Sequence, residues 1–163
     1  NGSVKLFRKL MITKNLLDRS KSIFENDFLS MKKQICEEVR QSSFVVVGGA
    51  GTIGSSVVKL LVSLKAKKLD VIDISENNLV ELIRDIRSSG DDIETEIETY
   101  SMDSSSQEFV KYFNQQPSID YLLNFSALKH VRSEEDPFTL LNMIHTNILM
   151  NRNLAELASG FKN

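Results

Sequence analysis

The sequence predicts an α/β fold, a parallel sheet with helices on both faces, and three observations carry that prediction. A β-branched apolar run, Phe44–Val47, leads directly into a glycine cluster and then a helix-forming stretch. From Phe44 onward, strand-like and helix-like runs alternate along the chain. An acidic residue, Asp73, closes the second strand-like run. Repeated alternation of this kind implies parallel strands joined by crossover helices. Right-handed crossovers then give the strand order 3-2-1-4, with a ligand crevice between the first and fourth strands at their carboxyl ends.

The elements follow in order. The first strand, Phe44–Gly48, has no polar alternation, as expected where both faces are buried. A helix follows to about Leu64. The second strand is Lys68–Asp73, with a helix from about Glu76 to Ser88. A third strand near Glu96–Met102 leads to a helix from about Ser105 to Asn114, for which Ser104 and Gln107 supply a capping-box signature. The fourth strand is Ile119–Phe125. Asp136 before Pro137 starts a single long last helix, and Gly160 sits where that helix would end. This is a Rossmann-type sheet occupying residues 43–163.

Residues 1–42 form a different region, a helical N-terminal extension. Lys5, Arg8, Lys9, Lys14, Arg19 and Lys21 are opposed only by Asp18 over the first 21 positions. Phe24, Phe28, Met31, Ile35 and Val39 recur at helical spacing and make one apolar stripe, expected to pack against the α/β body or a partner subunit.

The chain has 163 residues, enough for one hydrophobic core and too few for two ordinary domains. Its net charge of -2 gives no reason to expect nucleic acid or an anionic membrane as partner. Its one cysteine, Cys36, excludes an internal disulfide and fits a reducing, cytoplasmic setting, where it reads as a small apolar helix residue. No apolar run reaches the length of a membrane span. Metal-ligand spacings of Cys and His, a phosphate loop ending in Gly-Lys-Ser/Thr, and a nucleophile elbow are all missing from the sequence. The acidic stretch Asp91, Asp92, Glu94, Glu96, Glu98, Asp103 and Glu108 reads as a solvated loop and the polar face of an edge strand.

The glycine cluster holds two overlapping registers. Gly49, Gly51 and Gly54 spell one; Gly48, Gly51 and Gly54 spell the other, and the chain around them favours the second. Glycines here let the backbone turn sharply and admit a large ligand where a Cβ would block it. The helix beginning near Thr52 aims its unpaired N–H groups at the loop, which suits a pyrophosphate. Asp73 stands at the offset of a ribose-binding carboxylate, which would repel a 2′-phosphate and so favour NAD over NADP. It also suits the N-terminus of the next helix. Asp103 ends the third strand, placed either to reach an adenine edge or to cap with Ser104. After the fourth strand, Asn124–Val131 has small residues that would let a cofactor pass close. Lys129 and His130 would project into the crevice, Lys129 towards phosphate or a sugar hydroxyl. His145 falls inside the last helix and reads as structural. Asn147, mid-helix, reads as a core polar contact or a water-holding residue beside an active site.

Val-Val-Val-Gly-Gly-Ala-Gly-Thr-Ile-Gly, then Asp-Ile-Ser-Glu-Asn-Asn-Leu, Asn-Phe-Ser-Ala-Leu-Lys-His-Val and Thr-Asn-Ile-Leu-Met-Asn together resemble the extended short-chain dehydrogenase/reductases. Within them, the likeness is to the CapD-type nucleotide-sugar 4,6-dehydratases and epimerases of polysaccharide biosynthesis, over about Phe44 to Ala158. The resemblance implies an NAD or NADP cofactor and a nucleotide-sugar substrate such as UDP-N-acetylglucosamine. It implies that Gly48, Gly51 and Gly54 hold the pyrophosphate, with Thr52 and Ile53 lining it through backbone amides. Asp73 would meet the adenosine ribose and Asp103 the adenine. Ser126, Ala127 and Lys129 would flank the nicotinamide-side ribose and the sugar nucleotide, and Asn147 would support an active-site water relay.

The chain departs from that family at its proton-transfer pair, Tyr-x-x-x-Lys. Tyr100, Tyr112 and Tyr121 are followed four residues later by Ser104, Gln116 and Phe125. The expectation is therefore the N-terminal, cofactor-binding portion of a longer enzyme, inactive alone. The alternatives are a non-catalytic dinucleotide-binding module and a reductase of another small substrate. The expected bare outer edge of the fourth strand, with the long last helix, predicts a homo-oligomer.

Overall fold

A computed structural model describes residues 24–89, 93–116, 118–128 and 136–159. The elements are α1 (Glu25–Gln41), β1 (Ser43–Val47), α2 (Thr52–Ser63), β2 (Lys68–Asp73), α3 (Glu76–Ser88), β3 (Glu96–Ser101), α4 (Gln107–Gln115), β4 (Tyr121–Asn124) and α5 (Pro137–Ile144). A wider π-turn, His145–Leu149, then joins α5 to α6 (Met150–Ala158). The four described strands form one parallel sheet in the order β3-β2-β1-β4, as expected.

Both faces of β1 are covered, which is why its sequence does not alternate. Phe44 and Val46 face a core with Val58 and Leu61 of α2 and Leu79, Leu82 and Ile86 of α3. Val45 and Val47 face the opposite way, against Phe109 and Phe113 of α4 and Leu154 of α6. Each such fully buried side chain stabilises the fold by roughly 1.5–3 kcal/mol. At the amino end of the sheet, Asp120 clamps β4 to β1: its Oδ2 accepts from Ser43 N at 2.7 Å and Ser43 Oγ at 2.8 Å. Those two bonds hold the Asp120 carboxyl below the usual carboxylate range.

Among the described residues, the stripe on α1 meets the sheet's core at its C-terminal end. Val39 is buried and Ile35 sits against the core, whereas Phe24 and Met31 are exposed. The basic cluster of the first 21 residues lies outside the described residues. Among the described strands, β3 lies at the edge of the sheet with Glu96 and Glu98 exposed, the solvated acidic face its sequence suggests.

Two local expectations are corrected. The cap of α4 is Ser106, whose Oγ accepts from Phe109 N at 3.2 Å; Ser104 lies outside the helix and donates to Met150 Sδ at 3.1 Å. The last helix is one continuous rod only in outline, because the π-turn interrupts it at His145–Leu149. Its start is as read: Asp136 accepts from Thr139 N at 2.8 Å, with Pro137 in the first turn. It ends at Ala158, and Gly160 lies outside the described residues.

Candidate functional site

A cleft of about 550 Å³ opens at the carboxyl ends of the strands. Its walls come from the β1–α2 turn, the ends of β2 and β3, the chain after β4, and one side of α5 and the π-turn. That is the position a doubly wound sheet reserves for ligands, where strand order reverses between β1 and β4.

The glycine turn is built by mutual exclusion. Gly48 has φ +70, and a Cβ on it would fall 2.5 Å from Ser126 N. So β1 and the β4 loop approach as closely as backbone allows. A Cβ on Gly54 would stand 2.2 Å from the Gly48 carbonyl oxygen, so Gly54 seats α2 against the turn and does not line the cleft. Gly51 differs: the nearest atom to an added Cβ is the Gly48 oxygen at 3.4 Å, and the residue is exposed on the cleft wall. Gly49 is buried, where a Cβ would meet Val71 Cγ1 at 2.4 Å. Gly48, Gly51 and Gly54 thus divide the work between turn, open wall and helix seat, while Gly49 packs against β2. Thr52 and Ile53 open α2 and are exposed, with Ile53 69 % accessible. Their N–H groups belong to the first turn, which has no intrahelical acceptor for them.

Asp73 lines the cleft and ties it together. Its Oδ2 accepts from Ala50 N at 3.0 Å and its Oδ1 from Ser75 N at 3.0 Å, joining the glycine turn to the entry of α3. A carboxylate has about four lone-pair sites; those two bonds leave acceptor capacity for two hydroxyls. Asp103 also lines the cleft, but its Oδ1 accepts from Ser105 N and Ser105 Oγ, both at 2.8 Å. The capping partner is therefore Ser105, in place of the expected Ser104.

The β4 loop contributes Phe125, Ser126, Ala127 and Leu128. Asn124 Oδ1 accepts from Ser126 N at 3.0 Å and from Ser126 Oγ at 2.6 Å. With its proton committed to Asn124, the Ser126 hydroxyl turns only lone pairs to a ligand. Asn147 does not line the cleft. Its Oδ1 accepts from Leu128 N at 2.9 Å and its Nδ2 donates to Leu128 O at 3.0 Å, so it is a polar contact holding the loop. Lys129, His130 and Val131 lie outside the described residues.

His145, read as structural, is exposed and lines the cleft beside Asn142, Thr146 and Met150. Asn142, Thr146 and Met150 recur every four residues, a helical face whose spacing is visible in the sequence. Ser104, Ser105 and Met102 were also missed as lining residues.

None of the three tyrosines lines the cleft. Tyr112 is buried and donates its hydroxyl to Asp70, which also lies 3.5 Å from Lys68 Nζ. Burial, then the hydrogen bond and charge of Asp70, push the Tyr112 hydroxyl far above its ordinary range. Tyr100 packs against that ring, and burial raises it as well. Tyr121 donates to Glu38 at 2.8 Å, which raises its hydroxyl. No group of three His, Cys, Asp or Glu residues gathers as a metal centre among the described residues. No described helix is long and apolar enough to cross a membrane.

The cleft fits a dinucleotide on the structure's own terms. An open glycine wall under the first turn of α2 suits a pyrophosphate, and a carboxylate with free acceptor capacity stands one strand away.

Comparison with known proteins agrees with this architecture. A family model described as "Polysaccharide biosynthesis protein" matches residues 44–162. A Methanocaldococcus jannaschii protein described as an uncharacterized membrane protein is 30% identical over 129 residues, covering 78% of this chain and 35% of its own length. Pen from Bacillus thuringiensis superposes with a TM-score of 0.60 at 27% identity, over 74% of this chain and 35% of that one. WbmF from Bordetella bronchiseptica, solved with NADH, has a TM-score of 0.56 at 22% identity, over 77% of this chain and 34% of that one. The chain therefore spans about a third of the length of these relatives. By the family match over residues 44–162, the chain belongs to the polysaccharide biosynthesis protein family, and its 3-2-1-4 parallel sheet is the fold it shares with short-chain dehydrogenase structures.

Proposed function

We propose that this chain is the nicotinamide-dinucleotide-binding part of an enzyme that remodels a nucleotide sugar for surface polysaccharide synthesis, as a 4,6-dehydratase or an epimerase. UDP-N-acetylglucosamine is the substrate the resemblance favours. The observation that carries the reading is the open wall at Gly51, set between the first turn of α2 and the carboxylate of Asp73. Family membership supports the polysaccharide setting. The nicotinamide ligands of WbmF, and the UDP bound beside NAD⁺ in another of its structures, support the ligand classes.

When bound, the dinucleotide supplies hydride acceptance and return. The chain's own residues bind and orient it. The α2 amides and Gly51 receive the pyrophosphate, Asp73 accepts from the adenosine ribose, Asp103 stands at the adenine end, and Ser126 and Ala127 flank the nicotinamide ribose. Lys129 follows them in sequence and is assigned to the sugar-nucleotide side. The Asp73 charge favours NAD over NADP. The setting is cytoplasmic, where Cys36 stays reduced.

A second reading, a dinucleotide-binding module without turnover, has one specific support: none of the three tyrosines lines the cleft and none has lysine four residues later. Calorimetry on the full-length protein with NAD, NADP and UDP-N-acetylglucosamine tests both. Dinucleotide binding with sugar turnover favours the enzyme; binding without turnover of any UDP-sugar favours the module; no dinucleotide binding sinks both. Self-association is proposed as well. Phe138, Leu141 and Ile148 are exposed on the α5 side, and no described strand pairs with the outer edge of β4. A monomer by light scattering at high concentration would count against it.

A further inference from the structure

We propose that Asn124 and Asn151 form a positioning pair that sets the nicotinamide end of the cleft, an inference that rests on the dinucleotide reading above. Asn124 is the last residue of β4, in register with Val47 of β1. Its Oδ1 is turned to Ser126, taking the backbone N–H at 3.0 Å and the hydroxyl at 2.6 Å. Its Nδ2 donates to Asn151 Oδ1 at 2.6 Å. Asn151, on α6, in turn donates from Nδ2 to the Asn147 carbonyl at 2.8 Å, inside the π-turn. Asn147 closes the circuit by holding the backbone of Leu128 from both sides.

The polarity of this chain is determined at one end by a group that cannot be reversed. Ser126 N–H is a donor only, so Asn124 must present its oxygen there and its amide nitrogen to Asn151. Asn151 must then present oxygen to Asn124 and nitrogen to the Asn147 carbonyl. Each side chain donates on one side and accepts on the other, a task that carboxylate and aliphatic side chains cannot perform. The circuit fastens both ends of the loop Phe125–Leu128, the segment that meets Gly48 on one side and lines the cleft on the other. The wide turn at His145–Leu149 is thereby tied to the loop, so the position of Ser126 and Leu128 is set from α6.

The test compares NADH with ADP, which carries the same adenosine and pyrophosphate but neither the nicotinamide nor its ribose. Asn151→Ala is the first variant: the position is exposed and alanine favours helix, so the fold is retained. Asn151→Asp is the second; it keeps an acceptor for Asn124 and sets a carboxylate against the Asn147 carbonyl. In the full-length protein, each variant should bind NADH about tenfold more weakly and ADP within about twofold of wild type. Hydrogen exchange in the peptide containing Leu128 should rise several-fold in the ligand-free variants, a readout that needs no cofactor. Equal loss of both ligands, NADH binding within twofold of wild type, or unchanged exchange at Leu128 overturns the proposal. A wild-type protein that binds neither ligand overturns the dinucleotide reading and removes the cofactor half of this one with it.

Discussion

Asn147 and Leu128 hold each other through two opposed hydrogen bonds, N–H to Oδ1 at 2.9 Å and Nδ2 to carbonyl at 3.0 Å. The arrangement satisfies both backbone groups of a loop residue that has no strand or helix partner. Asn147→Ala leaves both groups unpaired in a half-buried setting, at a cost of about 1–3 kcal/mol. Asn147→Asp keeps the acceptor but turns an oxygen to the Leu128 carbonyl, so it should be no better than alanine at neutral pH. Denaturant midpoints for the two variants check this. A loss confined to binding, with stability unchanged, would show that the clasp does not hold the loop.

Gly48 and Gly51 should separate fold from ligand. Alanine at Gly48 meets both a φ of +70 and the Ser126 backbone at 2.5 Å. It should destabilise by about 2 kcal/mol or more, from the αL cost and the forced shift of the β4 loop. Alanine at Gly51 meets protein only at 3.4 Å and should leave stability within about 1 kcal/mol while blocking the open wall. Thermal unfolding paired with NADH titration tests the contrast. Tight NADH binding by Gly51→Ala would remove the pyrophosphate role.

The strand order and the glycine turn were legible because their causes are local. Phe44–Val47 runs without polar interruption, and only glycine tolerates the contacts at Gly48 and Gly54. The start of α4 was not legible, since Ser104, Ser105 and Ser106 offer the same hydroxyl to three registers. Tertiary contact decides: Ser104 turns to Met150 and Ser105 to Asp103, which leaves Ser106 for the cap. The π-turn was hidden for a similar reason. Its residues, His145–Leu149, look helical one by one, and the contact that Asn147 makes there, with Leu128, is distant in sequence. His145 lies within that turn and on the cleft wall, whereas the sequence reading made it structural.

Asp73 joins the glycine turn to α3 and should also set cofactor choice. Asn in its place keeps one accepting oxygen and turns an NH₂ towards either Ala50 N or Ser75 N, so one backbone amide loses its acceptor. The expected stability cost is about 1–3 kcal/mol. Removing the charge also removes the repulsion of a 2′-phosphate. Asp73→Asn should therefore weaken NAD more than NADP, lowering the ratio of their affinities about tenfold. Parallel titrations with both dinucleotides measure it; an unchanged ratio would leave Asp73 as a structural brace only.

Asp120 gives the pH-dependent prediction. Its carboxyl is held below the usual range by the two bonds from Ser43, which tie the amino ends of β1 and β4. A lowered folded-state pKa means the unfolded chain takes up the proton first as pH falls. The stabilisation is therefore complete at neutral pH, begins to fade near the ordinary carboxylate pKa of about 4, and is gone once pH passes below the folded value. Because Asp120 is exposed, solvent screening limits the full effect to about 1 kcal/mol. Asn at this position loses the charge and with it the pH dependence. Urea midpoints of wild type and Asp120→Asn should differ most at pH 7 and converge as pH drops below 4. A gap that stays constant down to pH 2.5 would mean that the clamp works through shape alone, without help from the charge.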